Sequence, residues 1–301
     1  QVAGTGDWRS APKEAIIIGL KELPEEITPL HHRHIMFGHA FKDQPDGQKL
    51  LERFQAGGGT LYDLEYLTDD TGRRVAAFGY WAGYAGAAVA IKSWAAAQKG
   101  NICQPLQTFA SAKDLNADVA SDLGKKNPSV IIIGANGRVG NGAQDFCTAL
   151  GASVTCWDIE ETAHGGPFPE ILDHDIFLNC ILANKNTPVF VPKKAKIGPR
   201  KLMVIGDIAC DPGSFYSPIK VYDCATSWEK PALRVHKDKI LDITAIDNLP
   251  SLLPKESSED FAAQLLPHLM MLQEIEKGVW GKACAIFNEY ISRTNAAKSQ
   301  S

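Results

Sequence analysis

Short runs of consecutive apolar residues, each bounded by polar or glycine-rich stretches, recur along most of the chain. The runs at 16–20 and 129–133 are almost wholly apolar, which is typical of strands buried on both faces of a parallel sheet. Further strands are predicted at 34–37, 59–64, 74–78, 153–157, 175–180, 202–205 and 239–243. The turn residues 69–72 between two β-rich runs predict a hairpin within 60–80.

Helical spacing of apolar positions occurs between these runs. Residues 48–55 place Leu50, Leu51 and Phe54 on one face of a helix. Residues 83–94 predict a helix of small side chains that can approach a neighbour closely. Helices are also predicted at 143–150 and over 257–295, with interruptions near Pro267 and Gly278. Strands that alternate with helices predict an α/β fold with doubly wound, parallel sheets.

Composition and charge narrow the class of protein. The 301 residues suggest two domains, and 45% hydrophobic with 22% charged residues is typical of a globular protein. A formal net charge of −4 does not favour nucleic acid or an acidic lipid surface as a partner. No apolar run approaches the ~20 residues that span a bilayer, so no membrane is expected.

The cysteines and histidines indicate the redox state of the compartment and whether the protein has a metal site. Seven cysteines without a Cys-x-x-Cys pair favour reduced thiols over disulfides or a zinc site. His31, His32 and His34 lack a companion ligand at metal spacing, so no metal is expected. We therefore expect a cytoplasmic protein. A peroxisomal location stays open, although the chain does not end in a Ser-Lys-Leu signal.

A glycine-rich turn follows the predicted strand 129–133 and precedes a helix. Gly134, Gly137 and Gly140 have the spacing G-x-x-G-x-x-G, and glycines there would let a pyrophosphate approach the helix N-terminus. Asp158 ends the next strand 24 residues after Gly134, where a carboxylate would accept hydrogen bonds from ribose hydroxyls. The same carboxylate would repel the phosphate of NADP. These features predict NAD binding, with a tight turn in a cofactor-free α/β fold as the alternative.

Candidate acids and bases follow the predicted strands of the first half of the chain. They are Lys21, Glu22, His39, Lys42 and Glu65. A lysine in a partly dry cleft can lose its charge and act as a base. Taken alone, Lys21 is equally an ordinary surface lysine, and His39 a packed or solvated histidine. Arg73 and Arg74 are suited to binding carboxylates or a pyrophosphate, or form a solvated charge pair beside the turn.

Collinear segments over nearly the whole chain carry a family resemblance. The sequence resembles the fungal NAD-dependent, lysine-forming saccharopine dehydrogenases, within the alanine dehydrogenase and transhydrogenase-like superfamily. The resemblance lies at 16–24, 59–65, 72–79, 134–142, 157–159, 165–168, 179–181 and 246–254. It implies two Rossmann-like domains with parallel sheets and an active site in the cleft between them. It also implies that an N-terminal part of the first domain is missing.

The implied organisation and reaction follow from this likeness. The first, catalytic domain would comprise residues 1–78 and 251–301, and the NAD-binding domain residues 79–250. Saccharopine, NAD⁺ and water would give lysine, 2-oxoglutarate and NADH, reversibly, as the last step of lysine biosynthesis by the α-aminoadipate pathway. The partners would be these small molecules. The oligomeric state stays open, with a monomer among the alternatives.

The resemblance also implies roles for particular residues. Lys21 would be the base of amine oxidation and His39 the acid–base of imine hydrolysis, with Glu22 and Glu65 tuning their pKa values. Residues implied at saccharopine are Lys42, Arg74, Phe78, Ala209, Cys210 and Asp211. Residues implied at NAD are Arg73, Gly134, Gly137, Arg138, Gly140, Asp158, Thr162, Leu182, Ile208, Ile246, Asp247, Asn248 and Leu249.

Some positions depart from the family pattern. Asn248 and Leu182 replace a common histidine and tyrosine, and Val139 replaces a cysteine found in some members. An alanine dehydrogenase is one alternative, but its smaller substrate would not need the arginine pair and Phe78. A non-catalytic NAD-binding regulator is another, and it would leave the acid–base set without a purpose.

Overall fold

The computed structural model describes residues 4–21, 23–24, 26–41 and 45–298. Two predicted site residues, Glu22 and Lys42, lie outside the described residues. The chain divides into two compact units. Unit 1 comprises residues 1–77 and 261–301, and unit 2 comprises residues 78–260. Within the described ranges, no helix is long and apolar enough to cross a bilayer.

Unit 1 contains a three-stranded parallel sheet in the order β1-β2-β3. Its strands are β1 (Ile16–Ile18), β2 (Arg33–Met36) and β3 (Thr60–Asp63). Its helices are α1 (Pro45–Gly57), the end of α6 (Pro254–Leu269) and α7 (Gly278–Lys298). The predicted apolar face of α1 is confirmed, because Leu51 and Phe54 are buried. Phe54 meets Phe287 of α7 with ring centroids 5.7 Å apart, so the C-terminal helix shares this core.

A buried histidine on β2 lies in an aromatic cluster. The ring of His34 contacts Trp8 and Phe54 edge-on, at centroid distances of 5.2 Å and 5.4 Å, and the residue is 1% exposed. Burial lowers the pKa of His34 from 6.5 to about 4, and the positive charges of His32 and Arg53 contribute further. The folded protein therefore holds this imidazole neutral under mildly acidic conditions.

Acidification is expected to destabilise the protein through His34. Above pH 6.5 neither the folded nor the unfolded chain protonates this ring. As pH falls from 6.5 towards 4, only the unfolded chain binds the proton, so the free energy of unfolding decreases, by up to about 3 kcal/mol at one pKa unit per ~1.4 kcal/mol. Urea unfolding of His34→Phe should show a smaller loss over this range than wild type. The control His31→Gln, at an exposed neighbour, should match wild type, and equal losses in all three would refute the assignment.

Unit 2 contains a six-stranded sheet in the order β5-β4-β6-β7-β9-β8. Its strands are β4 (Ser129–Ile133), β5 (Ser153–Trp157), β6 (Ile176–Asn179), β7 (Val204–Asp207), β8 (Leu233–His236) and β9 (Leu241–Thr244). All neighbours pair in parallel except β8 with β9. Val130 and Ile132 face one apolar cluster while Ile131 and Ile133 face the other, which explains the continuous apolar run of β4.

Helices of unit 2 pack through small residues. They are α2 (Gly79–Ala97), α3 (Ala112–Leu123), α4 (Arg138–Ala149) and the short α5 (Ile159–Thr162). A Cβ on Gly83 of α2 would lie 1.8 Å from the Val139 carbonyl oxygen, and one on Gly142 of α4 would lie 1.9 Å from that of Tyr80. The predicted close approach of the small-residue helix to a neighbour is therefore confirmed.

Two element predictions differ from the structure, and one strand of the structure has no counterpart among them. Residues 74–78 do not form a strand; only Arg74 pairs, in an antiparallel bridge with Thr68 that closes the predicted turn. Helix α4 begins at Arg138 rather than near 143, because the small residues of the glycine turn continue directly into helix. Strand β8 was not predicted, since its alternating, half-buried residues carry no continuous apolar run.

Candidate active site

The three strands of unit 1 direct candidate acids and bases to one edge of their sheet. Lys21 follows β1, His39 follows β2 and Glu65 follows β3. The carboxyl ends of parallel neighbours lie side by side, and the Phe37 N–H donates to the Leu20 carbonyl at 3.1 Å. The structure therefore brings the segments carrying these three residues together. The side chain of Lys21 is exposed at this edge.

Glu65 links two of the other predicted residues. Its Oε2 lies 3.4 Å from His39 Nδ1, and its Oε1 accepts a hydrogen bond of 3.1 Å from the Arg74 guanidinium. The Glu65 side chain is 12% exposed, against 39% for His39 and 44% for Arg74. A mostly buried carboxylate thus orients an imidazole and a guanidinium that both reach solvent.

The backbone around His39 is unusual. His39 has φ of +48°, a left-handed conformation that is costly for a residue with a Cβ. Next to it, a Cβ on Gly38 would lie 2.7 Å from Leu61 Cδ2, so a side chain at this position would displace that of the buried Leu61. Such strain is concentrated at functional sites, where it fixes a side chain in a chosen direction.

A buried carboxyl group that the sequence reasoning missed lies beside this cluster. Asp63, 1% exposed at the end of β3, accepts a hydrogen bond of 2.9 Å from the Glu65 N–H. Burial raises the pKa of Asp63, although backbone N–H groups of Glu65 and Gly38 oppose the rise. Its place at a strand end, two residues before Glu65, is the sequence signal that could have identified it as the group that orients Glu65.

His39 also lines a cavity of about 970 Å³ within unit 1. Its other lining residues include Met36, Lys49 and Arg53. The Arg53 guanidinium donates hydrogen bonds to the carbonyl oxygens of Thr28 and Pro24, at 2.9 Å and 3.2 Å. It therefore stabilises the loop that contains these two residues rather than binding a ligand. The space is of the size that binds small molecules, and it leaves one side of the imidazole accessible.

In unit 2, each glycine of the predicted cofactor turn has a distinct role. Gly134 has φ of +89°, and a Cβ there would lie 2.6 Å from Ile181. A Cβ on Gly140 would lie 2.2 Å from the Gly134 carbonyl oxygen, so this glycine lets α4 pack against the turn. Gly137, the N-cap of α4, is exposed and its Cβ would meet nothing closer than 3.5 Å. That open backbone before a helix N-terminus suits the approach of a pyrophosphate.

The carboxylate of Asp158 faces this turn. Its Oδ2 accepts a hydrogen bond of 2.8 Å from the Asn136 N–H, and its Oδ1 one of 2.9 Å from Ile159. Glu161 completes a capping box for α5 by accepting from the Asp158 N–H at 2.7 Å. Thr162 Oγ1 in turn donates to the Asp158 carbonyl at 2.7 Å. Asp158 is thereby fixed beside the glycine turn, where ribose hydroxyls would reach it.

Several other predicted cofactor residues follow the carboxyl ends of strands in the same sheet. Leu182, 82% exposed, follows β6, and an apolar residue outside the predicted set, Ile159 at 79% exposed, follows β5. Ile208 follows β7, and 246–249 follow β9. The Trp228 indole N–H donates to Asn248 Oδ1 at 3.1 Å, which fixes the amide of this turn residue. Open backbone at Gly137, a carboxylate at Asp158 and apolar surface beside them fit the phosphates, ribose and base of a dinucleotide.

Cys210, predicted at the substrate, shares a feature with His39. It has φ of +48°, and these two are the non-glycine residues with positive φ among those the structure describes. Its Sγ lies 3.2 Å from the Ala245 carbonyl oxygen, which links the end of β7 to that of β9. Ala209 is half-buried and Asp211 exposed on either side of it.

Other predicted residues are placed as follows. Arg73 is exposed in the hairpin turn, where its N–H donates to Asp69 Oδ1 at 3.0 Å. Arg138 is the first residue of α4, and Phe78 precedes α2. Gln144, which the sequence reasoning missed, donates from Nε2 to the Ala135 carbonyl at 2.6 Å and so supports the glycine turn. A glutamine six residues into the helix that follows the glycine turn is the available signal. Within the described ranges, no group of three metal-binding side chains occurs.

Known proteins resemble the chain in sequence. Residues 2–85 match the family model of the alanine dehydrogenase/PNT N-terminal domain. The saccharopine dehydrogenase [NAD(+), L-lysine-forming] of Yarrowia lipolytica is 43% identical over 96% of this chain and 82% of its own length. The enzyme of the same name from Candida glabrata is 45% identical over 96% and 82%. The resemblance expected from the sequence is confirmed.

A solved structure resembles the fold. An L-alanine dehydrogenase superposes with a TM-score of 0.59 at 18% identity, covering 86% of this chain and 71% of that protein. At this identity the likeness concerns the fold alone. The expected α/β class with parallel, Rossmann-type sheets is confirmed.

Proposed function

The chain belongs to the family of the NAD-dependent, L-lysine-forming saccharopine dehydrogenases, and from this premise we propose that it oxidises saccharopine to lysine and 2-oxoglutarate. This reaction is the last step of lysine biosynthesis by the α-aminoadipate route. The observation that carries the proposal in unit 1 is the linked set His39, Glu65 and Arg74 at one sheet edge, with Lys21 beginning at the same edge. A regulator without turnover has no use for such a set.

Each of these residues has a task that the chemistry requires. Lys21 accepts the proton of the substrate's secondary amine, so that its nitrogen lone pair can drive hydride loss from the adjacent carbon. His39, oriented by Glu65, then removes a proton from the water that attacks the imine carbon and returns one to the departing amine. Arg74 binds one of the three substrate carboxylates by charge-assisted hydrogen bonds. Lys42 and Glu22 keep the roles that the family resemblance implies.

We propose NAD as the nicotinamide cofactor. When bound, it supplies the hydride acceptor. Gly137 and the α4 N-terminus hold its pyrophosphate, with Gly134 and Gly140 shaping the turn, while Asp158 accepts from the adenosine ribose. Further contacts come from Arg73, Arg138, Thr162, Leu182 and Ile208, and from Ile246, Asp247, Asn248 and Leu249. On the substrate side, Phe78, Ala209, Cys210 and Asp211 complete the proposed set.

Initial rates of NADH formation test the proposed function. With NAD⁺ present, saccharopine should support turnover and alanine should not. Alanine has one carboxylate, whereas the proposed substrate site, which includes Arg74, binds the three carboxylates of saccharopine. The reverse reaction should consume NADH only when lysine and 2-oxoglutarate are both present. Turnover of alanine alone would assign the chain an alanine dehydrogenase activity instead.

The compartment is a further part of the proposal. All seven cysteines are free thiols, as a reducing environment requires. We propose the cytoplasm. Microscopy of a fluorescent fusion tests this, since a punctate signal that coincides with a peroxisomal marker would establish the alternative.

A further inference from the structure

A buried carboxylate stands at the end of β7, directly before the residues assigned to substrate. Asp207 is 2% exposed. Its Oδ2 accepts a hydrogen bond of 2.5 Å from the Tyr222 hydroxyl, and its Oδ1 one of 2.9 Å from Asn179 Nδ2. The backbone N–H of Cys210 donates to the same carboxylate. Donors from three parts of the chain thus converge on one buried group, which offsets the cost of burying its charge.

These bonds hold the segment 208–211 from both sides. The Asn179 carbonyl accepts a hydrogen bond of 3.1 Å from the Ile208 N–H. Cys210 has a left-handed backbone conformation. Its N–H donates a hydrogen bond to the Asp207 carboxylate, and its Sγ contacts the Ala245 carbonyl oxygen. A left-handed non-glycine residue persists only where its surroundings over-determine it. The carboxylate of Asp207 supplies that constraint.

We propose that Tyr222 and Asp207 form a positioning pair for substrate binding: the Tyr222 hydroxyl holds the Asp207 carboxylate, which holds the left-handed turn at Cys210 and with it the backbone of 209–211. The pair rests on the proposed function, because the same segment is assigned to saccharopine. Neither residue touches the substrate in this scheme. Both act through the segment that does.

The charge states fit this role. Burial raises the pKa of Asp207, and nearby Asp211 raises it further, while the bonds from Tyr222, Asn179 and Cys210 oppose the rise. Burial and the Asp207 charge raise the pKa of Tyr222, so its hydroxyl keeps the proton that it donates. Without that hydroxyl, the carboxylate keeps two donors and accepts a proton more readily. Protonation would cost the Cys210 N–H its anionic partner.

Tyr222→Phe tests the pair, with Tyr84→Phe as the matched control. Both tyrosines are 8% exposed and lie in unit 2, and the Tyr84 hydroxyl also donates to a side chain, Asn116 Oδ1, at 2.8 Å. Each variant loses one buried hydroxyl and keeps its ring. Comparable losses of stability are therefore expected in both, and a merely structural role would affect both alike.

Steady-state kinetics distinguish a role in positioning the substrate-binding segment from a merely structural role. Tyr222→Phe should raise the KM for saccharopine about tenfold, with kcat and the KM for NAD within about threefold, as loss of one bond to a charged group implies. Tyr84→Phe should leave all three near wild type. A saccharopine KM in Tyr222→Phe equal to that of wild type would overturn the positioning role.

Labelling of Cys210 gives a readout that does not depend on turnover. Burial, with the nearby charges of Asp207, Asp247 and Asp211, raises the pKa of this thiol to about 12, so iodoacetamide should label it slowly in wild type. Tyr222→Phe should label it several-fold faster by peptide mass spectrometry, and Tyr84→Phe should not. Unchanged labelling refutes the pair. If Tyr222→Phe labels faster than wild type but wild type does not turn over saccharopine, the proposed function is refuted and the positioning of the turn by the pair stands.

Discussion

Replacing Lys21 with methionine should lower kcat for saccharopine oxidation by about 10²- to 10⁴-fold, the usual contribution of a positioned general base. Methionine has a similar length and volume but cannot accept the proton of the secondary amine. The KM for NAD should stay within about threefold, because the residues assigned to the cofactor's pyrophosphate and ribose lie in unit 2. Steady-state NADH formation gives kcat, and quenching of protein fluorescence by NADH gives cofactor affinity.

Lys13→Met is the control for this change. Lys13 is an exposed lysine that precedes β1, whereas Lys21 follows it, so the control removes the same charge from the other end of one strand. It should leave kcat near wild type. A Lys21→Met enzyme with normal kcat would transfer the role of base to another group, and a fall in both variants would point to general loss of charge.

Replacing Asp158 with serine should reduce the preference for NAD over NADP, measured as a ratio of kcat/KM values, on the order of 10²-fold. The carboxylate accepts hydrogen bonds from the ribose hydroxyls in this scheme, each worth ~1.5–3 kcal/mol with a charged acceptor. Its charge also repels the extra phosphate of NADP. Loss of both effects raises the KM for NAD and lowers that for NADP.

Serine is chosen here because Asp158 also begins a helix. Its side chain caps α5, and serine is an equally good N-cap, so the local fold survives. Asp158→Ala loses the cap as well and should unfold at a lower temperature than Asp158→Ser. If Asp158→Ser kept the wild-type cofactor preference, selection against NADP would have to come from another residue.

The sequence predicts the local part of this molecule well. Strand β4 and the glycine turn follow from a few adjacent residues, because an apolar run and closely spaced glycines determine backbone geometry locally. The position of Asp158 at the end of β5 follows in the same way. Lys21 and His39 at neighbouring strand ends were likewise predictable, once the strands were recognised as parallel.

The parts that the sequence did not predict depend on contacts between distant segments. Nothing near Tyr222 indicates that its hydroxyl meets a carboxylate 15 residues earlier in the chain. Residues 74–78 have a strand-like composition. Instead, the Arg74 side chain forms an ion pair with Glu65, and α2 begins directly after residue 78. The left-handed backbone conformations of His39 and Cys210 could not be predicted from residue type, because neither residue is a glycine or an asparagine. Tertiary packing, rather than propensity, decides such positions.

The contact of Gly83 and Gly142 with carbonyl oxygens of the facing helix bears on efforts to make this protein more heat-resistant. Exchanging helical glycines for alanine is a common way to gain stability, since it restricts the unfolded chain. Here an added methyl would push against rigid backbone less than 2 Å away, and α4 would be displaced from the sheet. Because α4 begins at the glycine turn proposed to bind NAD, the methyl is also expected to weaken NAD affinity. An engineer should therefore seek gains on exposed faces and leave these two positions untouched.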